Sequence, residues 1–168
     1  CWQMLNFGYQ LNGPVAIRYP RGNAPGENIL KDKNEIELGK ANVLKTKESS
    51  DVAVLSFGSL FNISEEVSIE LDTTLVDMRF VKPIDEELLK ELSKNHKLFV
   101  TVEENVIAGG AGSSVNEFVS ANSLDISVLN FGISDEFPVV GSPEDQKEAA
   151  KLTTEELLKQ IKTRLEKL

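Results

Sequence analysis

From residue 41 onward, short apolar runs alternate with segments whose large hydrophobic residues recur at helical spacing, and few folds satisfy that alternation. Ala41–Lys45 reads as a short strand, and Val52–Phe57 (VAVLSF) as a strand buried on both faces. Ser59 or Asn62 is expected to cap a helix in which Ile63, Val67 and Leu71 share a side. Thr74–Met78 is the next strand. Asp85–Asn95 follows as a helix, with Leu88, Leu89 and Leu92 inward and acidic residues at its positive end. Lys97–Glu103 is a further apolar strand, a glycine-rich loop leads to a helix over Ser113–Ala121, and Ile126–Phe131 is another strand. Helices over Pro143–Ala150 and Thr153–Lys167 close the pattern. Strands separated by helices imply parallel βαβ units. The expected fold is therefore α/β, a three-layer sandwich around a mostly parallel sheet of about five strands.

The stretch before residue 41 has a different grammar. Cys1–Leu11 carries Trp2, Leu5 and Tyr9 at near-helical spacing, and Asn12-Gly13-Pro14 stops it. Val15–Tyr19 is expected to be a strand. The following residues, Arg21–Asn34, are rich in Gly, Asn and Pro without periodicity, which is linker composition and sets a domain boundary near residues 30–38. The chain opens Cys1-Trp2-Gln3 without an initiator methionine, so this first part reads as a remnant helix and strand of another α/β domain.

Composition narrows the function classes. With 40% hydrophobic and 27% charged residues among 168, the chain has the balance of a globular protein. A net charge of −9 argues against a nucleic-acid partner, which requires a basic surface. The apolar runs are too short to span a bilayer, so no membrane partner is expected. A single cysteine cannot form an internal disulfide and there is no zinc spacing, which makes a cytoplasmic location the default.

Several residues invite a chemical role. GPVAIRYPRG (Gly13–Gly22) delivers Arg18 and Arg21 to the carboxyl edge of a sheet, where open α/β proteins bind ligands. A guanidinium there suits phosphate or carboxylate, and Arg21, beyond Pro20, is better placed to meet a ligand than Arg18. The run Gly109-Gly110-Ala111-Gly112 opens a helix but lacks the third glycine of a dinucleotide fingerprint and the Lys-Ser/Thr pair of a phosphate loop. It reads as a tight turn or an anion contact. Glu103 and Glu104 point to opposite faces of their strand and so cannot converge on one substrate; one of them is expected to bond loop amides. Asp77 and Arg79 read as an ion pair, and Asp85 as an N-cap. His96, the only histidine, is expected at a solvated helix end.

The motifs GPVAIRYPRG, LGKANVL, TLVDMRFVKPID, VTVEENVIAGGAGSSVNEF and VLNFGISDEF, in this order, resemble the C-terminal third of the 1-deoxy-D-xylulose-5-phosphate synthase family of transketolase-like enzymes. The resemblance implies that residues 1–34 are a remnant of a pyrimidine-binding domain plus linker, and that residues 35–168 are a transketolase-like C-terminal domain. Enzymes of this family use thiamine diphosphate and Mg²⁺ to join pyruvate to glyceraldehyde 3-phosphate with loss of CO₂, supplying isoprenoid, thiamine and pyridoxal synthesis. The resemblance assigns the second arginine of RYPRG, here Arg21, to the phosphate of the aldehyde acceptor. It places no catalytic, cofactor-binding or metal-binding residue in these 168. No cofactor is therefore expected on this chain alone, which would be inactive and serve assembly of a homodimer. The segment Phe137–Gly141 departs from the family's usual stretch there, which often ends in His-Gly. Two other readings remain open on the sequence. One is a free-standing α/β module that binds an anion at the helix start near Gly112. The other is the equivalent domain of a transketolase or a 2-oxo acid dehydrogenase β subunit.

Overall fold

The computed structural model describes residues 1–20, 36–138 and 140–168. Strands β1 (Asn42–Lys45), β2 (Val52–Phe57), β3 (Thr74–Asp77), β4 (Leu98–Val106) and β5 (Ser127–Ile133) form one sheet in the order β1-β3-β2-β4-β5. The pairs β2–β3, β2–β4 and β4–β5 are parallel, and β1 lies antiparallel on the β3 edge. Helices α2 (Phe61–Glu70), α3 (Glu86–Leu92), α4 (Ala111–Ala121), α5 (Pro143–Ala149) and α6 (Thr154–Leu165) complete the unit, after an N-terminal α1 (Trp2–Gln10).

Strand parity sorts the core into two layers. Val52 and Val54 of β2 and Leu98, Val100 and Val102 of β4 pack with Val67 of α2 and Leu157 and Ile161 of α6. Ala53, Leu55 and Phe57, with Phe99 of β4, face the other way onto Leu89 and Leu92 of α3 and Val115, Phe118 and Val119 of α4. Successive residues alternate because the side-chain period of a strand is two. Burial on both faces explains why β2 is apolar throughout. The expected three-layer α/β sandwich is the observed one.

Local signals act where a partner is in reach. The Asp85 carboxylate accepts the Leu88 N–H at 3.1 Å as the N-cap of α3, and its second oxygen accepts the Ala41 N–H at 3.0 Å, which ties β1 to that helix. Ser142 and Asp145 form a reciprocal capping box on α5. The expected cap of α2 is different: neither Ser59 nor Asn62 serves. A single 3₁₀ turn over Gly58–Leu60 feeds the helix, and its N-cap is Leu60. The Ser59 hydroxyl instead donates to the Glu104 carboxylate across the loop.

The β1 edge is irregular. Its register against β3 shifts between Val43 and Lys45, and Val43 and Leu44 are exposed. Lys45 and Lys47 converge on Asp72 at 2.8 and 2.6 Å, and hold that carboxyl at about 2, below its ordinary 3.8.

The first 20 residues do not join this sheet. α1 forms as its spacing predicts but has no buried residue. Val15–Tyr19, expected to be a strand, lies outside every strand of the structure. A strand exists only by pairing its backbone, and among the described residues neither edge strand, β1 or β5, pairs with this segment. Val15 and Ile17 lie against Gly8 of α1, and Phe7 makes an edge-to-face contact with Phe80, ring centres 5.9 Å apart.

Candidate functional site at the carboxyl edge of the sheet

β2 ends at Phe57 and β3 at Asp77, beside Glu103 and Glu104 of the longer β4, which brings these residues to one edge, the usual place for ligands in open α/β sheets. Glu103 and Glu104 do point to opposite faces: Glu103 is buried and Glu104 exposed. Parity puts Glu103 on the same side as Phe99 and Thr101, beneath the start of α4. There its carboxylate accepts two backbone N–H groups, from Ala111 and from Gly112, each at 2.7 Å.

This pair of bonds defines what the glycine-rich run is for. A helix N-terminus carries unsatisfied donors and partial positive charge, and an anion there satisfies both. In this chain the anion is the protein's own. A Cβ on Gly110 would stand 2.5 and 2.7 Å from the Glu103 oxygens and 2.3 Å from the Val106 carbonyl oxygen. A Cβ on Gly112 would stand 2.4 Å from Asn130 Nδ2 and 2.6 Å from Thr101 Oγ1. The glycines let the helix start press onto β4 and β5. The helix start that a free-standing anion-binding module would use is thus already filled by an internal carboxylate.

Asp77 and Arg79 form the expected pair, loosely. Arg79 Nε lies 3.8 Å from Asp77 Oδ2, while the Arg79 N–H donates to Asp77 Oδ1 at 3.1 Å. Burial is the largest influence on Asp77 and pushes its carboxyl up, against the pull of Arg79. Arg79 adopts φ +54° and the Phe80 N–H reaches back to the Met78 carbonyl, so the chain turns sharply and presents Phe80 to α1.

His96 corrects the sequence reading. It is 4% exposed rather than solvated. Its Nδ1–H donates to the Leu92 carbonyl at 2.9 Å, and Nε2 lies 2.9 Å from the Thr74 hydroxyl, which also accepts the Lys47 N–H at 2.9 Å. Being at a helix C-terminus did not make it a surface residue, because α3 ends against the start of β3. Its partners make it a structural tie.

Arg18 and Tyr19 are exposed. Arg18 makes no ion pair among the described residues, and Arg21, the proposed phosphate contact, lies outside them. Of the two adjacent glutamates, one of which is expected to bond loop amides, Glu103 is the one that does so. Its signal was an acidic residue closing a strand, eight residues before a glycine-rich helix start.

A parallel sheet with one antiparallel edge strand and two helices on each face is an architecture shared with transketolase structures. Residues 39–157 match the family model described as "Transketolase, C-terminal domain", and the chain belongs to that family. Among curated proteins it is similar to the 1-deoxy-D-xylulose-5-phosphate synthase of Colwellia psychrerythraea, 44% identical over 96% of this chain and 27% of that protein. The enzyme of the same name from Pectobacterium atrosepticum is 50% identical over 86% of this chain and 23% of its own length. The chain therefore spans about a quarter of these relatives. Among solved structures, one described as "Split gene transketolase, inactive beta4 tetramer" superposes with a TM-score of 0.80 at 28% identity, over 96% of this chain and 53% of that one. A transketolase from Campylobacter jejuni shares the fold at a TM-score of 0.54 and 18% identity, over 74% of this chain and 18% of that one.

Proposed function

We propose that this chain is the C-terminal part of a 1-deoxy-D-xylulose-5-phosphate synthase, which condenses pyruvate with glyceraldehyde 3-phosphate and releases CO₂. The observation that carries the reading is the reach of the similarity. Relatives of that name align over 96% of the chain, so they cover the N-terminal segment as well as the domain that the family model matches. On this reading residues 1–34 belong to a pyrimidine-binding domain plus linker, and residues 35–168 are the C-terminal domain. The exposed Trp2, Leu5 and Tyr9 of α1, and the extended but unpaired Val15–Tyr19, are then surfaces that the larger protein covers.

The described residues do not fit the family's thiamine diphosphate and Mg²⁺. The helix start at Ala111 already holds the Glu103 carboxylate, which would repel a diphosphate, and among the described residues no three metal-ligating side chains converge. On this reading the cofactor's site belongs to the upstream part of the longer protein. The role assigned to this chain is to support assembly of a homodimer, in the cytoplasm, and to bring Arg21 to the acceptor phosphate. No helix of the described residues is long and apolar enough to cross a membrane.

The test is kinetic. In the longer enzyme, Arg21→Ala should raise KM for glyceraldehyde 3-phosphate by about tenfold or more, the loss of one charge-assisted contact, with less effect on pyruvate. An unchanged acceptor KM would refute the assignment of Arg21. Absence of synthase activity in the parent enzyme would refute the reading as a whole.

A further inference from the structure

Asparagine residues occur along the chain, but Asn12 alone is followed by glycine. The pair lies where α1 has ended, at Leu11, whose backbone is already extended. Both residues are exposed. Gly13 adopts φ +152°, and nothing stands within 4 Å of the place where its Cβ would be. Among the described residues no group accepts the Gly13 N–H. The described asparagines elsewhere sit in helices, strands or short turns and precede residues that carry a side chain.

We propose that Asn12–Gly13 is a self-modification site, at which the side-chain amide is lost through a succinimide and the main chain is rerouted. The Gly13 amide nitrogen, giving up its proton, attacks Asn12 Cγ. The bond from Cγ to the side-chain nitrogen breaks and ammonia leaves. Water then opens the five-membered imide at one of its two carbonyls, giving aspartate or isoaspartate. Nothing is oxidised or reduced, and water is the sole co-reactant. Three features favour the attack. A free N–H has no hydrogen bond to surrender, a glycine nitrogen is not shielded by a Cβ, and a backbone outside regular structure can rotate Cγ towards the nitrogen.

The position gives the change a consequence. Asn12 joins α1 to the extended stretch that leads to Arg18 and Arg21. Isoaspartate adds a methylene to the main chain and a negative charge at that joint. The packing of Val15 and Ile17 on Gly8 depends on the length of the joint, so the arginine-bearing stretch loosens on α1.

The experiment is incubation of the folded chain at mildly alkaline pH, followed by peptide mass spectrometry with fragmentation that separates aspartate from isoaspartate. The expected result is conversion at Asn12 ahead of every other asparagine, at a rate close to that of the same bond in the urea-unfolded chain, with isoaspartate the major product. Gly13→Ala should slow it by about an order of magnitude, because the nitrogen is then shielded. Asn12→Gln should abolish it at this position. Should Gly13→Ala disturb the fold, the comparison of folded and unfolded wild-type chain still decides. An Asn12 that stays intact in the folded chain while it converts in urea, or that converts no faster than the other asparagines, overturns the proposal.

Discussion

The first 20 residues and the five-stranded sheet are made of similar apolar material, yet only the sheet region buries it. VAVLSF of β2 and PVAIRY before Pro20 look alike as sequence. β2 lies between β3 and β4 and every one of its side chains is buried, whereas Val15–Tyr19 has no neighbouring strand and is mostly exposed. α1 and α6 are both amphipathic, but α6 buries Leu157 and Ile161 and α1 buries nothing. What separates the two regions is the availability of a partner surface, not propensity. A helix satisfies its own backbone, so α1 forms with Val15, Ile17 and Phe80 against it; a strand cannot, so its counterpart stays extended and unpaired.

The sharpest way to break this contrast is to cut material from each side. Phe99→Ala removes a ring buried between β4 and its helices and should cost about 3–5 kcal/mol in urea unfolding. If it cost less than 1 kcal/mol, the sheet would not be the stable unit. Glu103→Ala leaves the Ala111 and Gly112 N–H groups without their carboxylate and should cost about 2 kcal/mol. An unchanged midpoint would mean that water replaces the carboxylate at no cost. Below these lies a pH effect at Asp72. Its carboxyl is held low by Lys45 and Lys47, so its contribution is present above 3.8 and is lost as pH falls towards about 2. Asp72→Asn should flatten that part of the melting-temperature profile. A wild-type-like acid slope in the variant would place the effect elsewhere. Smallest of all, Tyr9→Ala, at a side chain 93% exposed, should stay within about 0.5 kcal/mol. Hydrogen exchange sharpens the same comparison: amides of residues 14–20 should exchange far faster than those of Val52–Phe57.

Most of the sheet was legible because strands buried on both faces and helices with one apolar side leave strong periodic marks. Asp85 as an N-cap was legible for the same local reason: its partner is three residues away. What sequence alone did not give were ties between residues distant along the chain. That one of the two glutamates bonds loop amides is expected, but that it is Glu103, with Gly112 nine residues on, follows only from strand parity and the glycine-rich turn that brings the helix start over it. His96 finds Thr74 across 22 residues, so a helix-end position suggested solvent where the fold supplies a hydroxyl. Ser59 abandons its expected helix for Glu104, 45 residues away. Arg21, the residue with the most chemical promise, falls outside the described residues, so its environment adds nothing to the sequence argument.

The uneven β1 edge has a bearing on how such a domain behaves at high concentration. A straight, apolar border would act as a template on which further chains could crystallise strand by strand into fibres. Here the border is only four residues long, skips register at its middle and carries lysines anchored by Asp72. An incoming strand would meet misaligned amides and charged groups that must be stripped of water. The geometry that makes β1 a poor neighbour is therefore a safeguard, and a domain built this way can be produced and stored in quantity without polymerising through that side.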